Sequence, residues 1–295
     1  MPNLKSYIKL HIIIFIWGFT AVLGALIQLD YFAITWYRMG LASVFLFIYL
    51  ISRKSSREKL KHFNKKEQKQ YLVGGVIIAL HWIAFFYAIK VSNVSITLVA
   101  MSSGAFFTSL IEPYFYKRSV RIYEILFGLL ILFGLYILLS IEKIAYTGVL
   151  YALIAAFLSG LFSVINGIYV QKQNAYQLSF FQLFYGFIFL TIVLLFRGEL
   201  RNLPMPSQSD WIYLFILASI CTAYAFSASI DVMKHLSPYT VMLSINLEPV
   251  YGIILAILLL GDKEMMSNNF YLGASFILII ILLNTIFKHF AKNQR

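Results

Sequence analysis

The sequence predicts an all-α integral membrane protein in which ten transmembrane helices form two inverted five-helix repeats around a central cavity. Three observations predict it. The composition is 61% hydrophobic and 12% charged, with a mean hydropathy of +0.81, whereas soluble domains carry about 25% charged residues. The apolar residues gather into ten runs, each long enough to cross a bilayer at about 1.5 Å per residue. The second five runs echo the first five at an offset of about 144 residues, a period that marks an internal repeat.

In chain order the runs are 8–27, 32–51, 70–89, 94–116, 122–141, 147–169, 177–196, 210–230, 238–260 and 269–288, each bounded by charges, Pro/Gly or polar clusters. The first, behind Lys5 and Lys9, is longer than the apolar core of a signal peptide and apolar runs follow at once, so it reads as an uncleaved span. Short connections make sequence neighbours antiparallel neighbours in space. Cys221 is the single cysteine, which excludes an internal disulfide and a Cys-based zinc cluster and leaves it a buried structural thiol. The net charge of +12 would point to nucleic acid only if the basic residues shared a soluble face. They sit between apolar runs instead, so no nucleic-acid partner is expected.

Orientation follows from those charges, because cytoplasmic loops carry the excess of Lys and Arg. Arg53, Lys54, Arg57, Lys59, Lys61, Lys65, Lys66 and Lys69 follow the second run, and Lys117, Arg118 and Arg121 follow the fourth. Lys5, Lys9, Lys172, Lys234, Lys288, Lys292 and Arg295 fall on the same side, while Lys90, Lys143, Arg197, Arg201 and Lys263 fall on the other. The expectation is a multi-pass protein of the inner (cytoplasmic) membrane with both termini cytoplasmic. The basic stretch 53–69 sets this topology, and its other reading is a contact for anionic membrane lipid.

The repeat is clearest where KVSNVSITLVAMSSGAFF, from Lys90, stands beside KHLSPYTVMLSINLEPVY, from Lys234. This places Ser102 under Asn246, Gly104 under Glu248 and Ala105 under Pro249. A slightly shorter offset sets Trp17-Gly18 against Ser159-Gly160. Units of five spans must insert in opposite directions, and the charges agree: the loop 53–69 is strongly basic, whereas 197–209 holds only Arg197 and Arg201. The units are expected over 1–144 and 145–295. Inverted repeats are a signature of secondary transporters whose solute site lies near the midplane.

Within the ninth run, Glu248 is the one ionisable side chain between Tyr239 and Leu260, with Asn246 before it and Pro249 after it. A carboxylate at bilayer depth costs about 2.5–3.5 kcal/mol on insertion scales and normally faces protein or a watery cavity. Pro249 removes a backbone donor and crowds the carbonyl of Ile245, which kinks or opens the helix. Glu248 is therefore either a solute-site or proton-coupling group or an interhelical hydrogen-bonding one, with Pro249 a packing kink.

Other candidates follow from position. Ser159, Ser163 and Asn166 recur at i, i+4, i+7 and share one face of the sixth run, either a polar cavity wall or hydroxyls bonded back to their own helix. Ser102 in the fourth run and Tyr224 in the eighth complete a set of polar positions in the central runs, with Tyr224 expected to face inward opposite His81. His81 is the one histidine well inside a run and serves either a core hydrogen bond or a relay or ligand role. Trp17 and Trp82 form a stacking wall or simply pack. Arg38, early in the second run, is expected to snorkel to the outer interface or pair with Asp30, with direct substrate contact as the other reading.

Trp17-Gly18, Arg38, LEPVYGIILAILLLGDK at 247–263 and GLLILFGLYILL at 128–139, echoed by 273–284, together resemble the EamA-like ten-helix branch of the drug/metabolite transporter superfamily, over about residues 8–288. The resemblance implies a basket in which helices 1, 3, 4, 6, 8 and 9 surround the cavity while 5 and 10 brace it. It implies a small-molecule substrate (a metabolite, amino acid or drug-like compound) and export, with uptake or exchange by the same fold the alternative; no cofactor is expected. Two departures stand out. The family's closing Gly-Glu step reads Gly261-Asp262, and its first-half counterpart reads Lys117-Arg118. Glu112-Pro113 also lies eight residues beyond the position equivalent to Glu248-Pro249, so Glu112 is either an interfacial solvated group or a gate-side one. No GxxxxGK[ST] phosphate loop occurs, nor any HExxH, paired-Asp or Cys/His cluster, which argues against an ATPase and a membrane-embedded enzyme.

Overall fold

The computed structural model describes residues 4–53, 64–141 and 146–293. Residues 54–63, Lys143 and Arg295, which enter the orientation argument, lie outside the described residues. The described chain is almost entirely helical: α1 (Leu4–Leu26), α2 (Tyr31–Ser52), α3 (Lys65–Val91), α4 (Val94–Met101), α5 (Gly104–Tyr116), α6 (Ile122–Ile141), α7 (Tyr146–Tyr169), α8 (Ala175–Phe196), α9 (Gln208–Ala218), α10 (Ala225–Val232), α11 (Pro238–Ile245), α12 (Glu248–Leu260) and α13 (Asn268–Asn293). Three pairs are split spans: α4 with α5, α9 with α10, and α11 with α12. Taking each pair as one, eight helices among the described residues are long and apolar enough to cross a membrane. In α6 and α13 the apolar stretches, Ile122–Ile137 and Asn268–Ile281, are shorter.

The helices start where the sequence supplies a cap for their free N–H groups. Asp30 accepts from the amides of Phe32 and Ala33 at 2.8 and 3.0 Å, Asn174 from those of Tyr176 and Gln177, and Ser207 with Asp210 forms a capping box at α9. The cap of α4 is assembled from both ends of the chain: Asn93 takes the amide of Ile96, and the buried carboxylate of Glu264 takes those of Val94 and Ser95 at 3.1 and 3.3 Å.

α3 packs along α7 and α8, α1 against α12, α5 against α7, and α6 against α13. Two of these contacts depend on a missing side chain. A Cβ on Gly18 would lie 3.0 Å from Tyr251 Cβ and 3.2 Å from the Gly252 amide, and one on Gly160 would lie 2.8 Å from Thr108 Oγ1. The helices approach closely at these points, as small residues allow in membrane bundles.

At one end of the bundle, ion pairs join the elements. Lys9 and Lys234 both reach Asp231, at 2.8 and 2.9 Å, and Arg118 reaches Glu112 and Glu124 at 3.2 and 3.0 Å. Glu112 is thus buried and paired, which corrects the reading of it as a solvated interfacial group.

Candidate functional site: a central cavity

A cavity of about 80 Å³ lies at the centre of the bundle. Its walls come from α1 (Trp17, Thr20), α2 (Arg38), α3 (His81, Trp82, Phe85), α7 (Ser159, Phe162, Ser163), α10 (Phe226, Ser229) and the broken ends of α4 and α11–α12 (Met101, Ile245, Glu248). α6 and α13 contribute no lining residue.

Two spans break beside this wall, and the second break brings Glu248 to it. Between α4 and α5 the helix gives way at Ser102 and Ser103, whose amides turn back to the carbonyls of Val99 and Ala100 at 3.2 and 3.1 Å. Their hydroxyls bond the same turn, Ser103 Oγ to Ala100 O at 2.8 Å, so side chains compete with the helical ladder. Between α11 and α12 the break falls at Asn246 and Leu247, and the amides of Leu247 and Val250 bond three residues back. The missing N–H of Pro249 accounts for it. Glu248 stands at the first position of α12, where free amides and the helix dipole favour negative charge.

A third irregularity lies across the cavity. Residues Ser219–Tyr224 form a π-helical turn between α9 and α10, a feature often found at functional sites. It turns Thr222 Oγ1 toward α2, where it accepts from Arg38 Nε at 2.7 Å, and it leaves the Cys221 carbonyl to accept from the Trp17 indole at 3.2 Å. The Arg38 guanidinium carbon lies over Trp82, 3.8 Å from the ring centroid, a cation–π contact. Arg38 is 2% exposed. It neither snorkels nor meets Asp30, whose carboxylate caps α2. The expectation fails because seven residues from Tyr31 place Arg38 two turns into the helix, and the hydroxyl of Thr222 and the face of Trp82 offer it a place inside.

His81 Nδ1 lies 2.8 Å from the Ala155 carbonyl. A carbonyl can only accept, so Nδ1 carries the proton and Nε2 is left with a lone pair in the neutral ring.

Of the ten side chains singled out from the sequence, Trp17, His81, Trp82, Ser159, Ser163 and Glu248 line this one cavity. Four do not. Tyr224 is 44% exposed on the outer face, which corrects its expected inward orientation, because the π turn rotates it away from the wall that Thr222 joins. Asn166 continues the stripe of Ser159 and Ser163 but lies a turn beyond the cavity, fully buried, accepting from Gln182 Nε2 at 2.7 Å. Ser102 and Asn246 are buried in the two breaks behind the wall. The sequence reading preferred an interfacial role for Arg38 over substrate contact, and it missed Ser229 and the rings of Phe85, Phe162 and Phe226. Arg38 carried a signal, an uncompensated charge within an apolar run; the phenylalanines carried none among 27 of their kind.

Among the described residues no cluster of three His, Cys, Asp or Glu could hold a metal ion. A transporter of uncharacterized function from Bacillus subtilis (strain 168), YxxF, is 23% identical over 265 residues, 88% of this chain and 83% of its own. An uncharacterized transporter of Clostridium kluyveri is 23% identical over 224 residues, 72% of this chain and 70% of its own. A protein crystal structure shares the fold over 96% of this chain and 97% of its own, with a TM-score of 0.68 at 16% identity. The EamA-like transporter family matches residues 4–140 and again 146–286. The chain belongs to the EamA-like transporter family and is a membrane transporter rather than an enzyme.

Proposed function

We propose that this protein is a ten-span secondary transporter of the inner membrane, made of two oppositely inserted five-helix units over 1–144 and 145–295, which exports a small organic solute through the central cavity by alternating access. The observation that carries this reading is the pair of helix breaks. They fall at residues 102–103 and 246–247, offset by the period of the sequence repeat, and both deliver residues to one cavity. Discontinuous helices meeting at a midplane site are what alternating access uses. The close approaches agree with the pairing: Gly18 meets α12 at Gly252, and Gly160 meets α5 at Thr108. The family model matching twice, over 4–140 and 146–286, supports a division into two units.

The solute site is the cavity wall of Trp17, His81, Trp82, Ser159, Ser163 and Glu248, joined by Arg38. At about 80 Å³ the cavity is smaller than the 300–1,000 Å³ of ligand pockets, which fits a closed-down state between two open ones. The ion-paired end carries the excess of basic residues and is assigned to the cytoplasm. There Lys9–Asp231–Lys234 and Glu112–Arg118–Glu124 tie α1, α5, α6 and α10 and would have to part for entry from that side.

Counterflow of labelled metabolites into proteoliposomes tests transport directly. Trans-loaded solute is expected to accelerate uptake of its labelled copy, and no exchange for any solute that stabilises the protein would end the reading. Proton coupling is assigned to Glu248. Glu248→Gln is expected to lower proton-driven flux at least tenfold, about 1.4 kcal/mol in barrier, and to flatten its pH dependence. An unchanged rate and pH profile would remove the coupling role and leave transport itself standing.

A further inference from the structure

Between α2 and α8 a groove of about 530 Å³ opens onto the outer surface of the bundle, apart from the central cavity. Trp36, Gly40 and Phe47 line one side of it and Phe180, Phe184 and Phe187 the other. Trp36 and Phe187 lie 5.0 Å apart by ring centroid and Phe47 and Phe180 5.8 Å, so ring pairs bridge the two helices near both ends of the groove. The polar atoms along it are already used: the Trp36 indole donates to Thr191 Oγ1 at 2.9 Å, and the Ser43 hydroxyl donates to the Met39 carbonyl at 2.8 Å. From Trp36 to Phe47 the helix rises about 16 Å, close to half of the ~30 Å hydrocarbon core. An apolar hollow of this size forfeits dispersion contacts unless something fills it. Its volume over that length gives a cross-section of about 30 Å², too narrow for a helix about 10 Å across and wide enough for a hydrocarbon chain. The two ends differ. Toward the start of α2 the groove is roofed, because Tyr37 Oη donates to the Pro204 carbonyl at 3.2 Å and the Tyr37 ring lies 5.6 Å from that of Trp211. At that end Arg197, over the ring of Phe32, is already paired with Glu199 at 2.8 Å. Toward the end of α2 the rings of Tyr49 and Tyr176 stand 4.9 Å apart, and the guanidinium carbon of Arg53 lies 4.8 Å from the Tyr49 centroid. Arg53 is exposed and joins no ion pair among the described residues.

We propose that this groove binds one acyl chain of an anionic phospholipid, with the headgroup phosphate on Arg53 at the end assigned to the cytoplasm. The site does not depend on what the central cavity carries. A guanidinium pairs well with phosphate oxygens, and tyrosine rings sit at headgroup level in membrane proteins. Arg53 opens the basic stretch 53–69, so anionic lipid is drawn to this end rather than to the roofed one. A phosphatidylcholine offers the same chain but brings a second cation beside Arg53, and it is held less well. The same helix carries Arg38 to the central cavity, so the seated chain braces one wall of that cavity from outside.

The test is quenching of tryptophan fluorescence in the full-length protein, reconstituted into phosphatidylcholine vesicles that contain either phosphatidylglycerol or further phosphatidylcholine with dibrominated acyl chains. The signal of Trp36 is the part of the quenching lost in Trp36→Phe. Brominated phosphatidylglycerol is expected to quench that part at a mole fraction at least threefold lower than brominated phosphatidylcholine. Arg53→Gln should bring the two lipids level, and Arg53→Lys should keep most of the preference. Val44→Phe, at a groove position that is 53% exposed, should weaken quenching by both. Both substituted positions are exposed, so thermal unfolding of these variants should match the wild type. Equal quenching by the two lipids in the wild type, or a preference that survives Arg53→Gln, would overturn the proposal. So would a Trp36 silent to both lipids in a protein that cross-links as a dimer through Val44→Cys, since a second copy would then be the occupant.

Discussion

The split helices α4–α5 and α11–α12 occupy corresponding places in the sequence and have corresponding backbones, yet they are broken by different chemistry. In the first, serine hydroxyls and a glycine loosen the ladder at Ser102–Gly104; in the second, Pro249 deletes a donor and Glu248 stands at the newly opened N-terminus. Each then ends in a left-handed residue, Lys117 at φ 50° and Gly261 at φ 63°. The shape of the break is thus required twice and the charge once. The fold has two discontinuities beside the cavity, and only the second carries an acid.

The comparison breaks most sharply at the glycines that seat these helices. At Gly18 an added methyl would press on the backbone of α12, at 3.2 Å from the Gly252 amide and 3.3 Å from the Tyr251 carbonyl carbon, so two helices must separate. At Gly160 its nearest neighbour is the Thr108 hydroxyl, which can turn aside only by giving up its 2.8 Å bond to the Gly104 carbonyl, and the backbone of α5 stands off at 3.4 Å. Gly18→Ala is expected to cost about 2 kcal/mol and Gly160→Ala about 1 kcal/mol, within the range of overpacking substitutions. Unfolding titrations in mixed micelles would check both. Equal costs would show that α5 is seated as rigidly as α12.

Much of this was legible beforehand because bilayer crossing imposes length and apolarity on every span. The runs read as 94–116, 122–141 and 238–260 coincide with α4–α5, α6 and α11–α12. Pro249 marked the second break by its local chemistry, whereas the first, at Ser102–Ser103, was not read from the sequence although the offset sets Ser102 under Asn246. Glu248 was legible because a lone acid in an apolar run has few places to go. Arg38 was visible but misplaced: its long stem permits either the interface or the interior, and the choice is made by Thr222, 184 residues away. The π turn at Ser219–Tyr224 has no marker in its own residues, so the outward Tyr224 and inward Thr222 could not be assigned from spacing.

The two helix ends should differ next. Gly261 pairs φ 63° with ψ −139°, a region that is essentially glycine's alone, while Lys117 at φ 50°, ψ 39° sits in the left-handed well that other residues enter at a cost. Gly261→Ala is expected to destabilise by about 1–2 kcal/mol. Lys117→Gly is expected to stabilise by about 0.5–1 kcal/mol, by removing the Cβ penalty. Thermal denaturation in detergent distinguishes the two signs, and a loss at both positions would mean that the Lys117 side chain contributes more than its backbone costs.

The smallest effects are expected at the breaks themselves. Pro249→Ala restores an N–H that can reach the Ile245 carbonyl, so it should add about 1 kcal/mol of stability while slowing counterflow, because a continuous helix carries Glu248 less freely between two arrangements. Ser103→Ala removes one hydrogen bond, from Oγ to the Ala100 carbonyl, but that carbonyl keeps the Ser103 amide at 3.1 Å. No acceptor is orphaned, and the loss should stay near 0.5 kcal/mol, with transport unchanged. If Ser103→Ala slows transport as much as Pro249→Ala, both breaks move during the cycle, and the asymmetry between them is confined to charge.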